Sequence, residues 1–361
     1  MTDQDVVCTG PYVVGVATKR HARLVLRPEH HEWDLVEQHP QLLDAVLLPE
    51  SYVAPYPSGH LLEGHDPRKL LDTARDAGCD LWRDPETAGL CSRTILRLPA
   101  TKRLHETPLA REFQMPLDLS LLADPEARRH ALELVLATQD GSEMLAGPYF
   151  DFDRRDSPAH RLNLQMARET TLAAEDQVPG AFLQLTHHGL LRGLLTEVAA
   201  DYQMVGVRRV VIRVRGLKSE QADAQELTAY LDAVDAFTSR GIEAVADCAG
   251  KLGPVLVAAG AEGFSTGTRF FKCVPAALLS ASIGGGGPSI AAQPAGTWSE
   301  VAREPEQSAH DTRVANLLTL REHTDLAVSD PDELIASLRA DGGAQPAIWA
   351  NVLAQRRRRA A

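Results

Sequence analysis

Four short runs decide the fold: Ala181-Phe182-Leu183-Gln184-Leu185-Thr186, Arg209-Val210-Val211-Ile212-Arg213-Val214, Glu243-Ala244-Val245-Ala246-Asp247 and Glu262-Gly263-Phe264-Ser265. Each is largely apolar and gives way to polar residues. The segments between them carry helical periodicity and close on Gly206, Gly241 and Gly260, where glycine tolerates the left-handed conformation of a helix C-terminus at least cost. Apolar strand alternating with helix predicts a parallel sheet covered on both faces.

Working outward toward the N-terminus, the same unit recurs with candidate strands at 22–27, 43–48, 79–83 and 144–151. Eight strands predict a (β/α)8 TIM barrel. With 361 residues, the chain exceeds the roughly 250 that a minimal barrel needs. The excess is assigned to three places. An insertion after strand 3, at about 85–123, covers the barrel mouth. Gly284-Gly285-Gly286-Gly287-Pro288 opens a flexible linker or lid over 284–312. A helical extension over 313–361, with Ser329 or Asp330 as a cap ahead of Pro331, ends in the basic run Arg356 to Arg359, read as a solvated tail. The barrel itself spans 1–283.

Composition bounds the function classes. A chain 44% apolar and 24% charged buries a large core. Its formal net charge of -12 disfavours duplex nucleic acid as a partner. The five cysteines form no CxxC pair, so no structural zinc site is expected. Their odd number, with no run of 18 apolar residues and no signal peptide, points to a reduced, cytoplasmic, non-membrane protein.

Barrel active sites lie at the C-terminal strand ends. Alternation sorts those ends into inward and outward residues. It places Val211, Arg213 and Arg215 inward, Tyr149, Asp151 and Asp153 inward, and Asp247 inward with Val245. On the fifth strand Gln184, Thr186 and His188 share the inner face. Arginines inside a barrel are costly to desolvate unless they meet an anion. Two readings follow: Arg213 and Arg215, helped by Arg27 and Glu50, hold an anionic substrate, or they pair with nearby carboxylates. Asp151, Asp153, His188 and Asp247 are the acid–base candidates.

Two resemblances add to this. The stretch from Gly241 to Gly250, followed by Ala259-Gly260-Ala261-Glu262-Gly263-Phe264-Ser265-Thr266-Gly267-Thr268-Arg269-Phe270, resembles the last two βα units of phosphate-binding barrels, flavin-dependent ones included. That likeness implies phosphate binding by Gly250, Ser265, Thr266, Gly267 and Thr268, although Cys248-Ala249 stands where those families carry glycines. Over Gly147 to Gly285, a strand ending in Tyr149-Phe150 with Asp153, the helix start Asn163-Leu164 and the turn Gly263 to Gly267 resemble bacterial barrels distantly similar to the tRNA-guanine transglycosylase superfamily. The zinc-binding Cys/His cluster of true transglycosylases has no counterpart here.

The expectation is an enzyme acting by acid–base chemistry on a phosphorylated or nucleotide-like small molecule. Transglycosylase-like base exchange or N-glycosidic cleavage, and an inactive barrel that binds a partner, are the alternatives. No cofactor is called for, with FMN and a divalent metal left open, as is a homo-oligomer.

Overall fold

The computed structural model describes residues 22–28, 32–53, 67–97, 99–218, 221–267 and 306–360. Among them, eight strands form a closed parallel barrel: β1 (Arg23–Leu26), β2 (Ala45–Pro49), β3 (Asp80–Asp84), β4 (Met144–Ala146), β5 (Val178–Thr186), β6 (Arg209–Arg215), β7 (Glu243–Ala246) and β8 (Gly263–Thr266). The ring is sealed where Arg23, Leu24, Val25 and Leu26 run beside Gly263, Phe264, Ser265 and Thr266.

Helices fill the intervals. They are α1 (Trp33–Gln38), α2 (Glu50–Val53), α3 (Pro67–Asp76), α4 (Arg93–Leu96), α5 (Pro108–Glu112), α6 (Pro125–Leu136), α7 (Pro158–Ala173), α8 (His187–Leu191), α9 (Leu194–Met204), α10 (Ala224–Thr238) and α11 (Gly253–Ala258). After β8 come α12 (Glu306–Ser329), α13 (Pro331–Ala340) and α14 (Ala344–Ala360). Gly206, Gly241 and Gly260 all take positive φ, as the capping argument requires.

The insertion after β3 is built of α4, α5 and short 3-10 turns. Its Leu90, Ile95, Leu104 and Leu109 pack with Phe150, Leu162 and Met166, so it leans on the chain leaving β4 and on α7.

Two expectations for the C-terminal region change. Helix α12 begins at Glu306, inside the span read as a linker. It lies along α11 and touches β1, with Arg321 reaching Asp44 at 2.6 Å and His310 reaching Asp34 at 2.7 Å. It therefore closes the helical ring, and α13 and α14 form the helical extension beyond it. Residues 284–305 lie outside the described residues. The basic run is not a free tail either. It sits on α14, where Arg356 donates to Asp232 at 2.8 Å and to Asp235, and Trp349 Nε1 donates to the Ala222 carbonyl at 2.9 Å. The Asp330 cap is as expected, its side chain accepting from the Asp332 and Glu333 amides. Among the described residues no helix is long and apolar enough to cross a membrane.

The interior is tiered because alternate residues of every strand point inward. At the N-terminal end Arg209, 1% exposed, lies 4.8 Å from the Trp82 ring centre and bonds Glu143 at 2.9 Å and Glu243 at 2.7 Å. The middle tier is apolar, with Val25, Leu47, Trp82, Phe182, Val211 and Val245. Ile212 and Val214 face outward into the helix layer, as alternation requires. The upper tier is charged, and it forms the floor of the mouth.

At the seam a Cβ on Gly263 would stand 2.4 Å from the Arg23 carbonyl oxygen. Backbone of the neighbouring strand cannot step aside without opening the ring. Gly263→Ala is therefore expected to lose about 1–3 kcal/mol of stability, the usual cost of overpacking, measured as a lower urea midpoint at unchanged slope.

Candidate functional site

The chain leaving β4 is held extended mainly by side chains, with one backbone bond to β5 from the Phe152 amide to the Gln184 carbonyl at 3.3 Å. Thr87 Oγ1 accepts from the Tyr149 amide at 2.7 Å and donates to the Tyr149 carbonyl at 2.6 Å. Asn163 brackets Phe150 in the same way, at 2.9 and 2.8 Å. Arg155 then grips Asp201 of α9 with two bonds at 2.8 and 2.6 Å. Alternation thus survives past the strand end, with Tyr149 inside and Phe150 and Phe152 buried in the outer layer. Asp151 reaches the mouth.

Beneath it lies a buried quartet. Asp84 Oδ2 accepts from Arg27 at 2.8 Å and from Arg213 at 2.6 Å. Asp247 Oδ2 accepts from Arg213 Nε at 2.6 Å and lies 3.4 Å from Arg27. Ser265 Oγ donates to Asp247 Oδ1. The Tyr149 hydroxyl donates to Asp84 Oδ1 at 2.8 Å and accepts from Arg213 at 3.1 Å. The two arginines and two aspartates are each at most 8% exposed. Burial opposes the charge on Asp84, yet Arg213 and Arg27 outweigh it and hold that carboxyl well below the usual carboxylate range. Burial opposes the charge on Arg213 too, and Asp247 and Asp84 overcome it. The quartet is neutral as a unit.

One tier higher, Gln184 accepts from Arg213 Nη1 at 3.2 Å and donates to Asp151 Oδ1 at 2.7 Å. Asp151 Oδ2 lies 3.0 Å from Arg215 Nη1, and these two side chains are 28% and 23% exposed. Arg215 Nε is buried without a hydrogen-bond partner. Burial pushes the Asp151 carboxyl up, against the pull of Arg215 and the Gln184 hydrogen bond. Beside the mouth, Glu50 pairs with Arg83 at 2.7 Å, and burial raises the Glu50 carboxyl although Arg83 opposes it. Glu86, in the left-handed region at φ 51°, accepts from the Ser51 amide at 2.9 Å. Its carboxyl is raised by burial and by Asp84.

The structure therefore gathers Arg27, Arg213, Arg215, Asp151 and Asp247, and sets Glu50 against Arg83. Two acid–base candidates fall outside. Asp153 is 72% exposed and 3.8 Å from Arg154, because β4 ends at Ala146 and alternation stops once the chain turns after Phe152. His188 is exposed on α8, because Thr186 ends β5 and caps that helix by accepting from the Gly189 amide. Strand alternation does not apply to a helical residue.

Two hydroxyls of the implied phosphate turn have protein partners. Ser265 Oγ serves Asp247 and the Cys248 amide. Thr266 Oγ1 donates to the Gly267 carbonyl at 2.8 Å. Gly250 is buried, and Thr268 lies outside the described residues. Cys79 and Cys91 are free thiols. Among the described residues no group of three or more His, Cys, Asp and Glu is placed to hold a metal.

Asp84, Tyr149, Gln184, Arg83 and Glu86 take part without being among the candidates that the sequence offers. Period two on β3 puts Asp84 inward with Trp82, and the same count puts Tyr149 inward with Asp151. That was the available signal. No protein-family model matches the chain, and no curated protein matches it.

Asp84→Asn keeps the shape but leaves two buried arginines against one carboxylate, so a loss of about 3–5 kcal/mol is expected, read by urea unfolding. The folded Asp84 binds its proton less readily than the unfolded one. Its contribution is therefore complete above about pH 4 and drains away as pH falls below that. The variant should show a correspondingly shallower acid slope than the parent.

Proposed function

We propose that this barrel is an enzyme that binds an anionic small molecule, phosphorylated or nucleotide-like, at its C-terminal mouth and moves a proton there. Arg215 anchors the anion and Asp151 is the acid–base group. The observation that carries this is the contrast between the two inward arginines of β6. All three nitrogens of Arg213 are engaged within the barrel. Arg215 lies 3.0 Å from Asp151 through Nη1 and keeps a buried Nε without a partner. Its Nε–Nη2 edge is the planar fork that suits carboxylate or phosphate. The half-exposed carboxylate beside it would serve N-glycosidic cleavage as well as other proton transfers.

A second reading has its own support. Arg27 and Arg213 are matched by Asp84 and Asp247, and Arg83 by Glu50, so the floor attracts no anion by itself. A barrel that binds a partner without chemistry would keep such a floor.

Calorimetry with inorganic phosphate, pyrophosphate and nucleoside monophosphates separates the two. At least one should bind, and Arg215→Ala should weaken it by roughly ten- to a hundredfold with little change in Tm. Asp151→Asn should retain binding and lose turnover of the bound compound. If no anion binds, or if Arg215→Ala binds as tightly as the parent, the anion-binding reading is wrong.

A further inference from the structure

Gln184 links the buried quartet to the mouth, and its orientation is forced. A guanidinium has donors only, so the Gln184 atom 3.2 Å from Arg213 Nη1 must be the carbonyl oxygen. The amide nitrogen then faces Asp151 Oδ1 at 2.7 Å. Arg213 cannot turn to release it, because Asp84, Asp247 and Tyr149 fix its other bonds. Asp151 thus meets an N–H donor on Oδ1 and the Arg215 guanidinium on Oδ2, and among the described residues neither oxygen has a protein acceptor to which a carboxylic acid would donate.

We propose that Gln184 is a positioning residue that, together with Arg215, opposes the effect of burial and favours the carboxylate form of Asp151, so that the resting site carries a base and the reaction begins by taking a proton from the substrate. This rests on the catalytic reading of the mouth. The substrate O–H or N–H bond breaks, its electron pair stays on the substrate, and the proton goes to Asp151. The new substrate anion forms beside Arg215. Neutralising Asp151 weakens its hold on Arg215 as that anion appears, so the guanidinium passes from one negative charge to the other without moving far. Substrates of this site are therefore those with an acidic O–H or N–H next to an anionic or oxyanion-forming group.

The groups facing Asp151 are Arg215 and Arg213 from β6, Gln184 from β5, and, more distantly, the Cys91 thiol of the insertion. Burial and Asp151 push that thiol up to about 12, so it stays neutral. Arg215 and Gln184 are left to oppose the effect of burial on Asp151.

The test is a carbon-detected NMR titration of the labelled Asp151 carboxyl, assigned against Asp151→Asn and needing no substrate. In the parent, Asp151 should be ionised at pH 7, and the Gln184 side-chain amide protons should titrate with the same midpoint. Gln184→Met, of similar length but without the donor, should raise the midpoint by about one pH unit, a tenfold gain in proton affinity. Gln184→Glu, which can face Asp151 with an oxygen, should raise it at least as far. A protonated Asp151 at pH 7, amide protons that ignore its titration, or an unmoved midpoint in a folded variant would each overturn the proposal. Failure of anions to bind would overturn the anion-binding reading and leave this arrangement intact.

Discussion

Four charges withdrawn from water at the top of one barrel constrain the rest of this structure. Moving an ion into a protein interior costs several kcal/mol even after relaxation, and only close opposite charge with satisfied hydrogen bonds offsets it. Arg27, Arg213, Asp84 and Asp247 meet that condition jointly and not as two separate pairs. Each carboxylate lies within reach of both guanidiniums. Neutrality of the set fixes its composition, and shared donors fix its geometry. The tier above inherits both.

This divides the molecule by depth. The N-terminal end is sealed by Arg209 and Trp82 with their carboxylates, and the middle is apolar. The quartet is saturated, whereas Asp151 and Arg215 above it are partly exposed. The elements around them act as supports. Thr87 and Asn163 hold the strand-like exit from β4, and Arg155 ties its far end to α9.

The fold was legible because period two and glycine-capped helices recur in the sequence with little interruption. Inwardness of Arg213, Arg215, Asp151 and Asp247 followed from the same count. It failed at His188 and Asp153 because alternation is a property of extended backbone, and the helix start at His187 and the turn after Phe152 end it. Partnership was not legible. Asp84 meets Arg27 from 57 residues away and Arg213 from 129, and strand order alone does not give those distances. Ser265 shows the same limit in reverse. The Ser265 hydroxyl of the turn that resembles a phosphate cradle donates to Asp247, a partnership that local likeness does not give.

Saturation also separates the two inward arginines of β6. A guanidinium carries five N–H donors, and one with every nitrogen bonded to the protein can accept a ligand only by giving up a bond made in a medium where bonds are strong. Arg213 is in that position, whereas Arg215 is not. The asymmetry arises on one strand, two residues apart, from depth alone. Arg213 stands level with Asp84 and Asp247, and Arg215 stands one pleat higher, where Asp151 is the one carboxylate it pairs with among the described residues. Gln184 spans that step, accepting from the saturated arginine and donating to the carboxylate of the unsaturated pair. The buried quartet thereby fixes the orientation of Gln184, and through it the donor that Asp151 meets, without contacting either Asp151 or a ligand.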